Sequence, residues 1–397
     1  MSAEIIRVAA RGDGVTAEGR HVAGGVTGDI LHDDGRLEHG PHHVTPPCRH
    51  FEMCGACALQ HCDETVLRQF VTDRVLHAAS SQGLTPEEVL PTHLSPPRSR
   101  RRATLHGLKT QRGVMLGFHE ERARRIVDLR ECHVLLPSLF ALVEPLRRML
   151  AKSAGRHPVD ISLTQTEGGV DCAIKGLEPD GLEATEALLD FAQSNALARL
   201  SLDQGYGMEA MYEPNPAMID LSGVRVALPQ GAFLQPTLDG ETALTGDVKS
   251  WLQGSGRIAD LFAGLGTFAF SLAGSARVEA FEAARDHMLA CKQAAGRAQI
   301  PVEAHHRDLF RAPLQPDELS GFDAAVLDPP RAGARDQVGT LAQSGVARIA
   351  YVSCNPASWA RDAATLVENG YRLKAVRPVG QFRWSTHVEL TSLFEKG

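Results

Sequence analysis

From about residue 230 to the C-terminus, short apolar runs are each followed by a glycine- or proline-marked loop and then an amphipathic stretch. RIADLFAGLGTFAFSLAG, starting at Arg257, reads as strand, glycine turn and helix; RVEAFEAARDHMLACKQAAG, starting at Arg277, repeats the form. VEAHHRDLF and FDAAVLDPPRAG are two further strand-and-loop units, and RIAYVSCNPASWARDAATLVENG is another strand and helix. This succession predicts βαβ units around a parallel sheet, and so an α/β domain over 230–397.

The earlier part of the chain has a different rhythm. Residues 1–45 are rich in Gly and Val with frequent turn signals, as in RGDGVTAEGRHVAGGVTGD, which predicts a small β module. A proline-flanked cysteine segment follows, TPPCRHFEMCGACALQHC. DETVLRQFVTDRVLHAASSQG then predicts a helix capped by Asp63 and ended by Gly83. Strand-like and helical patterns mix from about 98 to 200, with helices expected in PSLFALVEPLRRMLAKS and GLEATEALLDFAQSNALARL. The reading is three segments: a β module at 1–45, a central α+β domain at 46–229, and the α/β domain at 230–397. No fixed-period repeat interrupts them.

Composition narrows the class. A chain of 397 residues suggests two or three domains, and 43% hydrophobic residues suffice for sizeable cores. No apolar run reaches the length of a membrane span. MSAEIIRVAARGDG lacks the basic region and apolar core of a secretory signal, so the expectation is a cytoplasmic protein. Eight cysteines in that setting point to reduced thiols serving metal binding or catalysis. The net charge of -7 does not advertise a nucleic-acid partner, but its distribution is uneven. Between Arg98 and Arg130 ten Lys and Arg stand against three acids, a basic island that suits phosphates as well as it suits a solvated face.

In a parallel sheet, function gathers in the loops beyond the carboxyl ends of the strands. Asp260, Glu282, Asp308, Asp328 and Cys354 all fall near those ends. Gly264 and Gly266 occupy the first strand-to-helix turn, where a backbone can approach a ligand closely. A dinucleotide fingerprint would place its third glycine at Ala269. Asp260 would repel a pyrophosphate and suits a cationic ligand such as S-adenosylmethionine. Glu282 is placed to accept hydrogen bonds from ribose hydroxyls. Two prolines in LDPPR stiffen the loop that carries Asp328. RIAYVS brings Cys354 to the mouth of a strand, and the following Asn-Pro turns the chain so that its sulfur is reachable. In HVEL, Glu389 faces opposite to Val388 and Leu390: either a surface acid on an edge strand or a general base tuned by partial burial.

GAFLQPT, DLFAGLGTF, LDPPRAG, SCNP and HVEL, in that order and together with the upstream cysteines, resemble the RNA uracil-C5 methyltransferase family over nearly the whole chain. Members of that family make 5-methyluridine in transfer or ribosomal RNA. The resemblance implies a Rossmann-like class I methyltransferase domain using S-adenosyl-L-methionine. It implies that Cys354 adds to C6 of uracil, that Glu389 removes the C5 proton, and that Asp328 stands beside both cofactor and reaction centre. It further implies cofactor contacts from Gln235, Phe262, Thr267, Glu282, Asp308 and Asp328, alongside the turn glycines Gly264 and Gly266. Position 267 is often Asn in the family, and Thr237 replaces an Asn that commonly follows the glutamine.

Cys48, Cys54 and Cys57 read C-x5-C-x2-C, with Cys62 nearby and Cys132 far downstream. This spacing is similar to that of family members holding a [4Fe–4S] cluster, which implies Cys48, Cys54, Cys57 and Cys132 as ligands. Spacing alone leaves Cys62 as another fourth ligand and zinc as another metal. Cys172 and Cys291 lie inside strand-like and helical patterns and read as core. The first 45 residues resemble, loosely, the small OB- or TRAM-like RNA-binding barrel of some members. The substrate expected from the cluster-bearing members is 23S rRNA, with tRNA as the runner-up. Two other readings are an assembly factor without chemistry, which intact Cys354 and Glu389 oppose, and a nicotinamide-dependent oxidoreductase with an iron–sulfur centre.

Overall fold

The computed structural model describes residues 2–121, 123–155 and 157–397. Its central feature among those residues is a nine-stranded sheet. Five parallel strands run in the order Val302–His306, Arg277–Glu282, Arg257–Leu261, Ala324–Leu327 and Arg348–Ser353. Ala-Ala-Val-Leu at 324–327 is buried at every position, as a strand covered on both faces must be. Chain order reverses on either side of Arg257–Leu261, which sets a crevice at the carboxyl ends of the central strands. Glu389–Lys396 inserts antiparallel between Arg348–Ser353 and Tyr371–Gly380.

The segments do not separate cleanly at 229. Glu88–Val89 and His93–Leu94 pair with the edge strand Tyr371–Gly380, although they lie in the stretch assigned to the central domain. The helix Glu64–Ser81, capped as expected by Asp63, packs against the helix Pro356–Glu368. One continuous core runs from Val8 and Val26 through Leu59 and Phe70 to Trp359 and Leu390. The N-terminal module and the cysteine segment are thereby fastened to one face of the large sheet. Short strands from Ala3–Val8 to Leu37–Glu38 make up that module, joined antiparallel around buried Ile5 and Val15.

A second core lies under a six-stranded sheet, ordered Met208–Tyr212, Arg199–Asp203, Gly169–Lys175, Val159–Thr166, Arg102–Thr110, Gly113–Gly117. Cys172 is fully buried within it, and Cys291 is buried in the helix Arg285–Ala298. Two expected helices differ in extent. PSLFALVEPLRRMLAKS forms Pro137–Ala141 and Val143–Ser153, broken at Leu142. The break leaves Pro145 in the first turn of the second helix, where its missing N–H costs no bond. The helix expected to reach Leu200 stops at Ser194; Ala196 takes a left-handed φ of 47° and the chain turns into the strand Arg199–Asp203.

Candidate active site

A cavity of about 440 Å³ opens at the carboxyl ends of the central strands. Its floor is the turn after Arg257–Leu261. Phe262 is held at a φ of 63° and Gly264 at 56°, left-handed values that a phenylalanine adopts only when its surroundings impose them. Gly264 donates its N–H to Glu282 Oε2 at 2.9 Å, and Glu282 Oε1 accepts from Ala284 N–H at 2.7 Å. Both oxygens keep lone pairs for a ligand hydroxyl. Thr267 begins the next helix and faces the same space. Asp308 Oδ1 accepts from Phe310 N–H at 3.0 Å and so positions a half-exposed aromatic ring 5.2 Å from that of Phe262.

Gly266, at a φ of 94°, is packed so that an added Cβ would come within 2.9 Å of the Phe270 ring and the Cys291 sulfur. One sequence expectation at this end is corrected. Asp260 is fully buried beneath the turn and outside the cavity wall, accepting from Ala269 N–H at 2.8 Å. Burial pushes its carboxyl up to about 8. A strand residue one step before the carboxyl end points into the sheet's cover, which is why reading it as ligand-facing failed.

At the other end of the cavity stand Gln235, Asp328, Cys354 and Glu389. Cys354 follows the strand Arg348–Ser353 and directly precedes Asn355, the cap of the helix Pro356–Glu368. Asn355 Nδ2 also donates to the carbonyl of Arg331 at 2.9 Å, and Ser358 Oγ donates to the same oxygen at 3.0 Å. The loop carrying Asp328 and Arg331 is thus tied to the loop carrying Cys354. The sulfur is only half buried, as the Asn-Pro turn implied.

Glu389 is 3% exposed on an interior strand, so the surface-acid reading falls. Burial, with the Asp328 charge second, pushes its carboxyl up to about 8. Burial alone brings Asp328 to about 7. Burial first, then the Glu389 and Asp328 charges, push the Cys354 thiol to about 11, and Arg331 acts against them. Gln235 Nε2 donates to Asp328 Oδ2 at 3.3 Å, while its Oε1 accepts from Gln381 Nε2 at 2.8 Å. Sequence reading missed Gln381 and Phe310, neither of which carries a local pattern of its own, and gave Arg331 of the LDPPR loop no role.

A second cavity, of about 500 Å³, meets the first at Phe233, Arg331, Cys354 and Glu389. Arg100 lies over the Phe382 ring at 5.5 Å and Arg102 over Phe233 at 4.6 Å. The basic island therefore divides. Arg100 lines this opening and Arg102 stacks on its wall residue Phe233, whereas Arg101 is buried and ion-paired with Glu241. Arg122 lies outside the described residues.

Cys48, Cys54, Cys57 and Cys132 line one small cavity beside the second opening; Cys62 does not. Burial pushes Cys57 up to about 12 and raises the other three. Among the described residues no group of three or more His, Cys, Asp and Glu side chains is set to hold a metal ion. The cysteines share a cavity without forming a finished ligand set. Ala56, between Cys54 and Cys57, faces both this cavity and the second opening.

The whole chain matches, at a TM-score of 0.75 and 21% identity, the crystal structure of Pyrococcus abyssi tRNA (uracil-54, C5)-methyltransferase in complex with S-adenosyl-L-homocysteine, covering 99% of this chain and 100% of that one. The fold is that of a methyltransferase. An uncharacterized RNA methyltransferase of Zymomonas mobilis is 48% identical over 394 residues, 99% of each chain. The 23S rRNA (uracil(1939)-C(5))-methyltransferase RlmD of Bordetella avium is 32% identical over 384 residues, 89% of this chain and 78% of that protein. A family model described as tRNA (Uracil-5-)-methyltransferase matches residues 305–397. The chain belongs to the RNA uracil-C5 methyltransferase family.

Proposed function

We propose that the protein methylates C5 of a uridine in 23S rRNA, in the cytoplasm, with S-adenosyl-L-methionine bound in the 440 Å³ cavity. The observation that carries this reading is the meeting of Cys354 and Glu389 where that cavity joins the second opening, with Asp328 on the wall of the first cavity. One opening suits a nucleoside cofactor held by Gln235, Phe262, Thr267, Glu282, Asp308 and Asp328. The other, lined by Arg100 and by aromatic rings such as Phe233, over which Arg102 lies, suits a uridine turned out of its RNA.

C5 of uracil is a weak nucleophile until a group adds to C6. The Cys354 thiolate forms the C6–S bond, and the displaced electron pair makes C5 nucleophilic. S-adenosyl-L-methionine supplies the methyl group as a cationic sulfonium. Glu389 then takes the C5 proton, the C5–C6 double bond reforms, and the C6–S bond breaks to return the thiolate. Arg331 and the start of the helix Pro356–Glu368 both favour the thiolate. Asp328, tied to Gln235, fixes the wall between cofactor and base.

Cys48, Cys54, Cys57 and Cys132 are the residues that would hold a [4Fe–4S] cluster, supported by their common cavity and by the exclusion of Cys62 from it. Such a cluster would supply shape to the RNA-facing wall at Ala56, since methyl transfer needs no redox step. Chemical assay of purified protein should give about four iron and four sulfide per chain; zinc instead would replace this assignment.

Ribosomal RNA is preferred over tRNA on the 32% identity to RlmD over 384 residues. Incubating purified enzyme and S-adenosyl-L-methionine with unmodified 23S rRNA and unmodified tRNA, followed by nucleoside mass spectrometry, decides between them. 5-Methyluridine in the 23S rRNA alone supports the reading. Product in tRNA alone keeps the chemistry and replaces the substrate.

A further inference from the structure

The loop between the strand Ala324–Leu327 and the helix Arg335–Ala342 has two sides. Asp328, Pro329, Pro330 and Arg331 line the cofactor cavity, and Arg331 also reaches the second opening. The other side is held by the helix Pro356–Glu368, which begins two residues after Cys354. Asn355 and Ser358 grip the Arg331 carbonyl. One turn further on, Arg361 Nη2 donates to the carbonyl oxygen of Ala332 at 3.0 Å, and Asp362 Oδ2 accepts from Ala334 N–H at 2.7 Å. The same Asp362 oxygen accepts from Tyr351 O–H at 2.8 Å, and Tyr351 belongs to the strand that ends just before Cys354. Strand, loop and helix thus meet at one carboxyl group.

The fit around Asp362 is close. It is 1% exposed, and a buried carboxyl is costly unless its oxygens are bonded. Oδ2 has its two donors, while Oδ1 accepts from Arg361 Nε at 2.9 Å and Nη2 at 2.7 Å. Consecutive residues on a helix point in different directions, so the Arg361–Asp362 pair reflects two side chains turned toward one loop. The apolar packing of the helix is supplied separately by Trp359, Ala363 and Leu366. Gly333 completes the contact: its φ is 82°, and an added Cβ would come within 2.5 Å of Asp362 Oδ2 and 2.6 Å of Arg361 Nη2.

We propose that Asp362 is a positioning residue for thiol addition: by bonding Tyr351 and Ala334 at once, it fixes the Arg331 end of the loop against the turn that carries Cys354. This rests on the assignment of Cys354 as nucleophile. In the step it serves, the thiolate electron pair forms the C6–S bond, and the C5=C6 pair moves onto C5, in conjugation with the C4 carbonyl. A cation kept beside the sulfur favours the thiolate that makes this bond. Arg331 and Cys354 line both cavities where these meet. Of the charged groups facing Cys354, Glu389 and Asp328 oppose the thiolate and Arg331 favours it. His387 and Arg100 line the same opening. Asp328 is anchored from the sheet, its N–H donating to the Leu261 carbonyl at 3.3 Å, whereas Arg331 depends on the helix-side bonds.

The test compares wild type with Asp362→Ala, Gly333→Ala and Arg331→Gln, and with each of the first two combined with Arg331→Gln. Gly333→Ala keeps Asp362 and pushes the loop off it, so the outcome does not hang on one substitution. Two rates are read in the full chain. One is alkylation of Cys354 by iodoacetamide at pH 8, followed by peptide mass spectrometry. The other is covalent trapping by 5-fluorouridine-substituted 23S rRNA with S-adenosyl-L-methionine; fluorine at C5 cannot leave as a proton, so the adduct accumulates. Asp362→Ala and Gly333→Ala should each slow alkylation about threefold to tenfold, the effect of raising the thiol by about half a unit to one unit. Trapping should slow roughly tenfold to a hundredfold, as for reacting groups misplaced by about 1 Å. Arg331→Gln slows alkylation too, and adding either other substitution to it gives no further decrease. Alkylation that is unchanged or faster in Asp362→Ala and Gly333→Ala overturns the proposal, since a merely loosened pocket exposes the sulfur. A full second decrease in the combined variants also overturns it, by separating Asp362 from Arg331. Wild-type turnover in Cys354→Ala instead removes the nucleophile assignment beneath it.

Discussion

Leu59 donates its backbone N–H to the carbonyl oxygen of Trp384 at 2.9 Å, and Ala58 donates to the same oxygen at 2.7 Å. The cysteine segment is thereby pinned to the connection between Gln381 and Glu389. Loosening that segment should disturb the RNA side of the site and leave the cofactor side intact. On the proposed cluster assignment, Cys54→Ser and Cys57→Ser are expected to lose bound iron and to weaken RNA binding. Affinity for S-adenosyl-L-methionine, measured by calorimetry, should stay within about threefold.

Glu389 and Cys354 fail differently when removed. Glu389→Gln should lower turnover about 10²- to 10⁴-fold, the range for losing a general base, while still forming an adduct with unmodified RNA that does not resolve. Cys354→Ala should form none. Denaturing gels of enzyme incubated with labelled RNA distinguish the two.

Phe310 stands half exposed over the cofactor cavity, its ring 5.2 Å from that of Phe262. The two rings touch each other at a tilt of 51°, and Phe310 keeps an exposed face on which a flat purine could stack. Phe310→Ala is expected to weaken S-adenosyl-L-methionine binding roughly twofold to tenfold, the worth of one aromatic contact, with kcat at saturation unchanged.

Asp260 makes stability depend on pH in a definite sense. Its folded value of about 8 lies above the ordinary carboxylate value of 3.8, so the folded state binds the proton more tightly. Stability from this group is full below pH 4, is lost progressively as pH rises towards 8, and changes no further above that. Asp260→Asn, which still accepts from Ala269, should therefore gain on the wild type between pH 4 and pH 8. Thermal melts in the absence of cofactor measure the difference.

Arg101 and Glu241 join the strand entry at residue 101 to the helix Leu238–Trp251 through a buried ion pair. Arg101→Met leaves a buried carboxylate without its cation and should cost about 3–5 kcal/mol. Arg101→Met with Glu241→Leu should recover most of that loss in denaturant melts.

The sequence made some parts of this molecule plain and hid others for physical reasons. Strand-and-loop alternation after residue 230 was legible because each strand is buried on both faces and each loop is marked by Gly or Pro. Cys354 was legible because a turn motif directly follows a strand. Gln381 was not, since its meaning comes from Gln235, 146 positions away in the chain. Asp260 shows the opposite failure: its position suggested ligand contact, whereas the structure buries it completely beneath the turn. Glu88–Val89 and His93–Leu94 are two-residue strands too short to carry periodicity, so their pairing with Tyr371–Gly380 had no local signal.

The central claim is that Cys354 bonds covalently to a uracil during methyl transfer. Peptide mass spectrometry of the wild-type protein after incubation with S-adenosyl-L-methionine and 5-fluorouridine-substituted 23S rRNA tests it most directly. The expected result is a single modified peptide containing Cys354, carrying a methylated 5-fluorouridine nucleotide. An adduct on any other cysteine, or methylated product formed at the wild-type rate by Cys354→Ala, would contradict it.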